Sequence, residues 1–179
     1  MYYRTQYVSP IGTLTLASDG TNLNGLWIEG QRYFGGTPPL PLAEEQTLPV
    51  FDAAADWLER YFAGARPAPE ELPLRPLGSA FRRTVWQLLC EIPSGTIVTY
   101  GALARRAAER LGREHVSAQA VGGAVGHNPI SIIIPCHRVV GASGSLTGYA
   151  GGVQTKLWLL RHEGADTSAL SVPARGTAI

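Results

Sequence analysis

The chain has 179 residues, 45% of them hydrophobic and 16% charged, with a net charge of +1; this is the composition of a folded, soluble chain with room for one sizeable core or two small ones, and it excludes disorder throughout. No stretch approaches the ~18 consecutive apolar residues of a membrane span, and Met1-Tyr2-Tyr3-Arg4-Thr5-Gln6 has no apolar run behind a basic stretch, so a cytoplasmic protein away from the membrane is expected. The charge is unevenly spread: residues 1–78 carry five arginines against nine carboxylates, a net −4, whereas residues 79–164 carry nine basic against four acidic side chains, a net +5. A polyanion is expected to dock on the second part, although a merely solvated basic face has the same composition.

In chain order, Tyr3, Thr5 and Tyr7, then Leu14 and Leu16, then residues 23–28 alternate in the manner of strands, with turns at Ser9-Pro10-Ile11-Gly12 and Asp19-Gly20. A small antiparallel sheet is expected. A Pro- and Gly-rich loop over 30–41 precedes Phe51, Ala54, Ala55, Leu58, Tyr61 and Phe62, whose spacing predicts an amphipathic helix ended at Gly64. Residues 65–78 are proline-rich among charges, which suits a connection better than a helix or a ladder. The expected division is an α+β N-terminal domain with linker over 1–78 and a second domain with its tail over 79–179.

Ser79 is placed to cap a helix bearing Phe81, Val85, Leu88, Leu89 and Ile92 on one side, stopped at Pro93-Ser94-Gly95. Thr99 caps the next, with Tyr100, Leu103, Ala104, Ala107, Ala108 and Leu111 as its stripe and Gly112 as its end. Ser117 opens a third, Ala118-Gln119-Ala120-Val121-Gly122-Gly123-Ala124-Val125-Gly126. Two helices joined by a short turn predict a helix-turn-helix. The glycines weaken the third helix; they permit close approach of either a neighbouring helix or a DNA groove, and the sequence leaves these two level. Residues 130–134 read as a buried strand or extended segment, 141–152 as a glycine-rich loop, and 153–162 as a helix with Val153, Leu157 and Leu160 inward. Residues 165–179 have no periodicity and are expected to fray.

Cys90 and Cys136 are the only cysteines, too few for a disulfide framework and without the paired spacing of a zinc site, so free thiols and no metal are expected. Cys90 falls in a helical pattern and reads as a small core or flank residue. Cys136 lies in Pro135-Cys136-His137-Arg138-Val139, where a thiol, an imidazole and a guanidinium follow an apolar run. A cysteine attacks as its thiolate and needs neighbours that favour the anion. Adjacent residues of an extended chain point to opposite sides, so direct contact of His137 with the sulfur does not follow from sequence. Taken alone, His137 could equally be a hydrogen-bonded core residue, Tyr100 a packed aromatic and Asn128-Pro129 a plain turn. Glu163 stands at the C-terminal end of a helix, where the dipole disfavours a carboxylate and a local partner is called for.

Together with Tyr100, Asn128-Pro129, Gly148-Tyr149-Ala150-Gly151-Gly152 and His162-Glu163-Gly164, in that order, this motif resembles the O6-alkylguanine-DNA alkyltransferases. The resemblance covers nearly the whole chain, with sharp motifs over 100–164, and is to the short constitutive type. It implies a ribonuclease H-like N-terminal domain and a winged helix-turn-helix-like C-terminal domain that binds double-stranded DNA carrying O6-alkylguanine from the minor groove, as a monomer and with no cofactor. It further implies that Cys136 takes the alkyl group from O6 of guanine, or O4 of thymine, once per molecule, with Glu163 orienting His137 and His137 accepting the thiol proton through a water. Tyr100 would assist proton transfer to the departing guanine, Tyr149 would lie against the base, and backbone at Val139 and Ala150 would read its edges. Asn128 would tie the recognition helix to the active-site segment, and Arg138, Ala118, Gln119 and Gly122 would complete the substrate and DNA contacts.

Two departures stand out. The family's usual arginine before Ala-Val-Gly-Gly, which fills the gap behind the flipped base, is Gln119 here, and the zinc cluster of some relatives is missing. Rival readings are a non-catalytic alkyl-lesion sensor, which Cys136 argues against, a helix-turn-helix regulator, which leaves Pro-Cys-His-Arg unexplained, and a cysteine hydrolase, for which no oxyanion site is legible.

Overall fold

The computed structural model describes residues 1–36, 41–45 and 47–173. Its contacts divide the chain into two compact units, residues 1–77 with 129–133, and residues 78–128 with 134–179. Among the described residues no helix is long and apolar enough to cross a membrane.

In the first unit, β1 (Tyr2–Ser9), β2 (Gly12–Ser18) and β3 (Leu23–Ile28) form an antiparallel meander, as the alternation predicts. All six residues of β3 are buried. Gly25 is required there: a Cβ would come within 2.0 Å of the Trp27 indole, itself a buried ring. The sheet is mixed rather than purely antiparallel, because β4 (Leu42–Glu45) pairs parallel to β1 and completes the order β3-β2-β1-β4. The sequence Leu-Ala-Glu-Glu has no strand alternation; backbone pairing along an open edge, not side-chain pattern, makes it a strand. The helix α1 (Pro49–Phe62) buries Val50, Phe51, Ala54, Trp57, Leu58 and Tyr61, with proline in its first turn, where no N–H partner is needed.

Residues 129–133 return to this unit. Only Ile130 bridges β3, at Leu26, and the expected strand gives way to turns. The Ile133 amide donates to Ser131 O at 2.8 Å across Ile132, whose φ is +71°. A β-branched residue in a left-handed conformation is strained by about 1–3 kcal/mol. The Ser131 hydroxyl and the Ile28 amide both donate to Gln31 Oε1, at 3.1 and 2.7 Å.

The second unit is built on α2 (Ala80–Cys90), α3 (Tyr100–Leu111) and α4 (Ala118–Gly126). Each begins where the sequence places its cap: Ser79, Thr99 and Ser117 accept from the amides of Arg82, Ala102 and Ala120. Gly112 ends α3 at φ +60°. Trp86 of α2 donates Nε1–H to Ala124 O of α4 at 2.8 Å, in the buried interior. Cys90 closes α2 half-buried. Two short strands, β5 (Val98–Thr99) and β6 (Val139–Val140), pair in parallel and set the start of α3 beside the segment that follows Cys136.

Helix α5 (Val153–His162) follows the glycine-rich loop. Val153 and Leu157 pack with Leu160 against Val140 and Leu146, but the most deeply buried residues of the helix are Lys156, Leu159 and Leu160. The stretch after α5 does not fray as expected. Leu146 donates to Ser171 O, Ser171 donates to Gly144 O, both at 3.0 Å, and Leu170 packs on the same apolar cluster. Loop backbone groups need partners, and this stretch supplies them. A Cβ at Gly144 would come within 2.4 Å of Ala169 O, which accounts for glycine there. Residues 174–179, the rest of the expected tail, lie outside the described residues.

Candidate active site

Every residue of the candidate site belongs to the second unit. Pro135 has φ −82° and ψ 62°, and the Cys136 amide donates back to Ile134 O at 2.8 Å, an inverse γ-turn. A single 3₁₀ turn, Cys136–Arg138, follows and ends as Val139 enters β6. The motif is therefore a tight turn, and its three side chains leave in different directions.

The Cys136 thiol is 5% exposed. Asn128, just past the end of α4, donates Nδ2–H to Cys136 Sγ at 3.2 Å and to Ile134 O at 2.8 Å. One amide thus fixes both the sulfur and the turn that presents it. Burial pushes the thiol up from its ordinary value, and the Asn128 bond and the Lys156 charge, which favour the anion, offset this only in part. At neutral pH the resting group is the thiol, so a base must take its proton before attack.

His137 is fully buried, with Nε2 2.6 Å from Glu163 Oε1. Glu163 is the C-cap of α5. It also accepts from Arg138, from Nε at 2.9 Å and from Nη2 at 3.0 Å, while Arg138 Nη1 donates to Ile92 O. Burial alone would raise the Glu163 carboxyl, but the bonds from His137 and Arg138 prevail and hold it below the usual carboxylate range. Burial lowers His137 despite its carboxylate partner, with the Arg138 and Lys156 charges acting in the same direction. The pair is accordingly an ionised carboxylate and a neutral imidazole. A carboxylate only accepts, so the imidazole proton sits on Nε2 and Nδ1 is left as a lone pair. Nδ1 is buried without a protein partner. The partner that helix-end electrostatics demands for Glu163 is a His–Arg couple. Arg138, expected against substrate or DNA, is instead 8% exposed and committed to Glu163, because a buried carboxylate needs a cation more than the surface does.

Tyr100 opens α3, is 8% exposed and donates its hydroxyl to Thr147 O at 3.0 Å. Burial and the nearby Cys136 push its phenol well above its ordinary value. Tyr149 stands edge-on to the His137 ring at 6.4 Å and is likewise pushed up by burial, and its hydroxyl is buried without a partner. Val139 is buried in β6 and Ala150 is half-exposed beside Tyr149. On α4, Ala118 and Gln119 are exposed in the first turn, whereas Gly122 faces inward among Val121, Ala124 and Val125. Gly122 is buried, whereas Gly123 and Gly126 are half-buried and a Cβ on either would meet nothing within 4 Å.

Sequence reasoning missed Lys156. It is fully buried, donates Nζ–H to Thr147 O at 3.0 Å and lies 5.9 Å from the centroid of the Tyr100 ring. Its signal was available: it is the only lysine among fifteen basic residues.

Two family profiles match the chain: 6-O-methylguanine DNA methyltransferase, ribonuclease-like domain, over residues 1–76, and 6-O-methylguanine DNA methyltransferase, DNA binding domain, over residues 80–165. A methylated-DNA--protein-cysteine methyltransferase of Haemophilus influenzae is 42% identical over 161 residues, 90% of this chain and 86% of that protein. One of Mycobacterium tuberculosis is 44% identical over 164 residues, 91% of this chain and 92% of that protein. The crystal structure of Mycobacterium tuberculosis OGT in complex with DNA superposes with a TM-score of 0.75 at 38% identity, covering 97% of this chain and 95% of that one.

Proposed function

The chain belongs to the 6-O-methylguanine DNA methyltransferase family, and from that premise we propose that it repairs DNA by moving an alkyl group from O6 of guanine, or O4 of thymine, onto Cys136. The observation that carries this reading is the buried constellation in which Asn128 holds the sulfur and Glu163 holds His137 with Nδ1 unpaired.

His137 Nδ1 takes the thiol proton through a bridging water, and Glu163 stabilises the imidazolium that forms. The thiolate attacks the alkyl carbon in one displacement: the S–C bond forms, the C–O6 bond breaks, and the electron pair leaves on the base. Tyr100 holds its proton firmly and suits a hydrogen bond to the charge that develops there. The product is a thioether, which has no base to expel it, so each molecule acts once.

A base inside a duplex cannot reach a buried sulfur, so the nucleotide is flipped out at a cost of a few kcal/mol. The helix-turn-helix of α3 and α4, with Ala118 and Gln119 exposed in the first turn of α4, suits entry from the minor groove. Gln119 fills the gap behind the flipped base without the cation that the groove's negative potential favours. Tyr149 and backbone at Val139 and Ala150 enclose the base. The protein acts as a monomer in the cytoplasm.

The test is stoichiometry. With excess O6-methylguanine duplex, one lesion is lost per protein molecule and none with Cys136→Ala; continued turnover, or loss of lesions by the Cys136→Ala variant, overturns the proposal.

A further inference from the structure

The placement of the sulfur depends on one carbonyl. Ile134 O accepts the Cys136 amide and Asn128 Nδ2, each at 2.8 Å, and the same Asn128 Nδ2 holds Cys136 Sγ at 3.2 Å. Just before it, the chain passes through Ile132 at φ +71°, with the Ile133 amide donating to Ser131 O at 2.8 Å. This is the rare, strained kind of γ-turn, and a β-branched residue keeps it only where its surroundings over-determine it. If Ile132 relaxes to a negative φ, Ile134 O swings away and both of its bonds are lost.

Ser131 supplies the determination. Its amide donates to Leu26 O at 2.9 Å, its carbonyl accepts the Ile133 amide, and its hydroxyl donates to Gln31 Oε1 at 3.1 Å in the buried interior. The backbone bonds are open to any residue; the hydroxyl bond requires this pair of side chains. Gln31 is buried between exposed Gly30 and Arg32. It is drawn inward by an exchange of bonds with Ile28: the Gln31 amide donates to Ile28 O at 3.0 Å, and the Ile28 amide donates to Gln31 Oε1 at 2.7 Å. Gly30, at φ +78°, permits the turn between them. The other end of the carboxamide donates from Nε2 to Arg32 O at 3.4 Å. The acceptor is therefore held in place by its own turn and presented to Ser131. These contacts all lie within the first unit, and their influence on Cys136 runs along the covalent chain from Ser131 to Ile134.

We propose that Gln31 is a positioning residue for the alkyl transfer: by fixing the Ser131 hydroxyl it maintains the strained turn at Ile132, and so sets the Ile134 carbonyl that seats Asn128 and Cys136. The assignment rests on the reading of Cys136 as acceptor.

Gln31→Met keeps the length of the side chain and removes the acceptor, while Ser131→Ala removes the hydroxyl alone. In either variant the pH profile of iodoacetamide capping at Cys136, read by peptide mapping, moves to higher pH. Thiolate at neutral pH falls about fivefold, the worth of one buried hydrogen bond, and single-turnover methyl transfer slows by about the same factor. Duplex affinity in gel shifts is unchanged. The double variant is no slower than Gln31→Met alone, because both substitutions break the same bond. An unmoved capping midpoint overturns the assignment, including the case in which looser packing exposes the sulfur and speeds capping at every pH; additive effects in the double variant overturn it as well. If Gln31→Met does not fold, Ser131→Ala, which removes a single oxygen, decides. Failure of wild-type protein to accept methyl from an O6-methylguanine duplex overturns the function instead, since capping uses no DNA.

Discussion

Replacing Glu163 by glutamine keeps the shape of the side chain and removes the charge on which the His137–Arg138 arrangement depends. Glu163 accepts from His137 at 2.6 Å, from Arg138 at 2.9 and 3.0 Å and from the Gly95 amide at 3.5 Å, with its side chain 1% exposed. Glutamine has one acceptor oxygen and a donor in place of the other. If its oxygen faces Arg138, its amide faces His137 and drives the imidazole proton to Nδ1, which abolishes the base. If its oxygen faces His137, its amide confronts the guanidinium. Either way Arg138 is left as a buried cation without an anion, a loss of about 3–5 kcal/mol. Methyl transfer at neutral pH falls about 100-fold or more, the usual worth of a positioned base. The pH dependence has a defined sign. The folded Glu163 carboxyl is held below its unfolded value of about 4, so its stabilisation is complete above that value and is lost as pH falls through the lower folded one. The gap between wild type and variant in urea melts therefore narrows in acid. Single-turnover transfer read by quench and mass, with urea melts at several pH values, makes the test. A Glu163→Gln variant with wild-type transfer rate and stability would refute the reasoning.

Other perturbations follow from the same geometry. Asn128→Ala removes the donor to Cys136 Sγ and one of the two donors to Ile134 O, which keeps the Cys136 amide; it destabilises by about 1 kcal/mol and moves the iodoacetamide profile of Cys136 to higher pH. Gln119→Arg, on an exposed turn, changes stability by less than about 0.5 kcal/mol yet tightens duplex binding and speeds repair in gel-shift and single-turnover assays; no gain in either would contradict the role given to Gln119. Lys156→Met should raise stability near neutral pH. A lysine at about 8 against an ordinary 10.5 costs the folded state about 3 kcal/mol while charged, so that penalty is present below the folded value and vanishes as pH rises past the unfolded one. Urea melts of wild type and variant at neutral and alkaline pH read the difference.

Much of the second unit was legible because its boundaries are local chemistry. Ser79, Thr99, Ser117 and Gly112 define α2, α3 and α4 by hydroxyl caps and a left-handed end, signals carried within a few residues of each boundary. The turn at Cys136 was not legible. Its inverse γ-turn at Pro135 and the left-handed Ile132 depend on contacts distant in sequence, and an apolar run such as Ile-Ser-Ile-Ile-Ile reads as a strand until those are known. β4 forms through backbone pairing along an edge, to which side-chain pattern is blind. The burial of Arg138 and Lys156 was not legible, because only the fold reveals the carboxylate or carbonyl that draws a long cationic side chain inward.

The central claim is that Cys136, held by Asn128 and served by His137, is the alkyl acceptor. Peptide mapping of the protein after reaction with an O6-methylguanine duplex tests it most directly, because Cys90 supplies an internal control. The account predicts one added methyl, on the peptide containing Cys136, with the Cys90 peptide unchanged. A methyl on Cys90, or a repaired lesion with no modified cysteine, would contradict it.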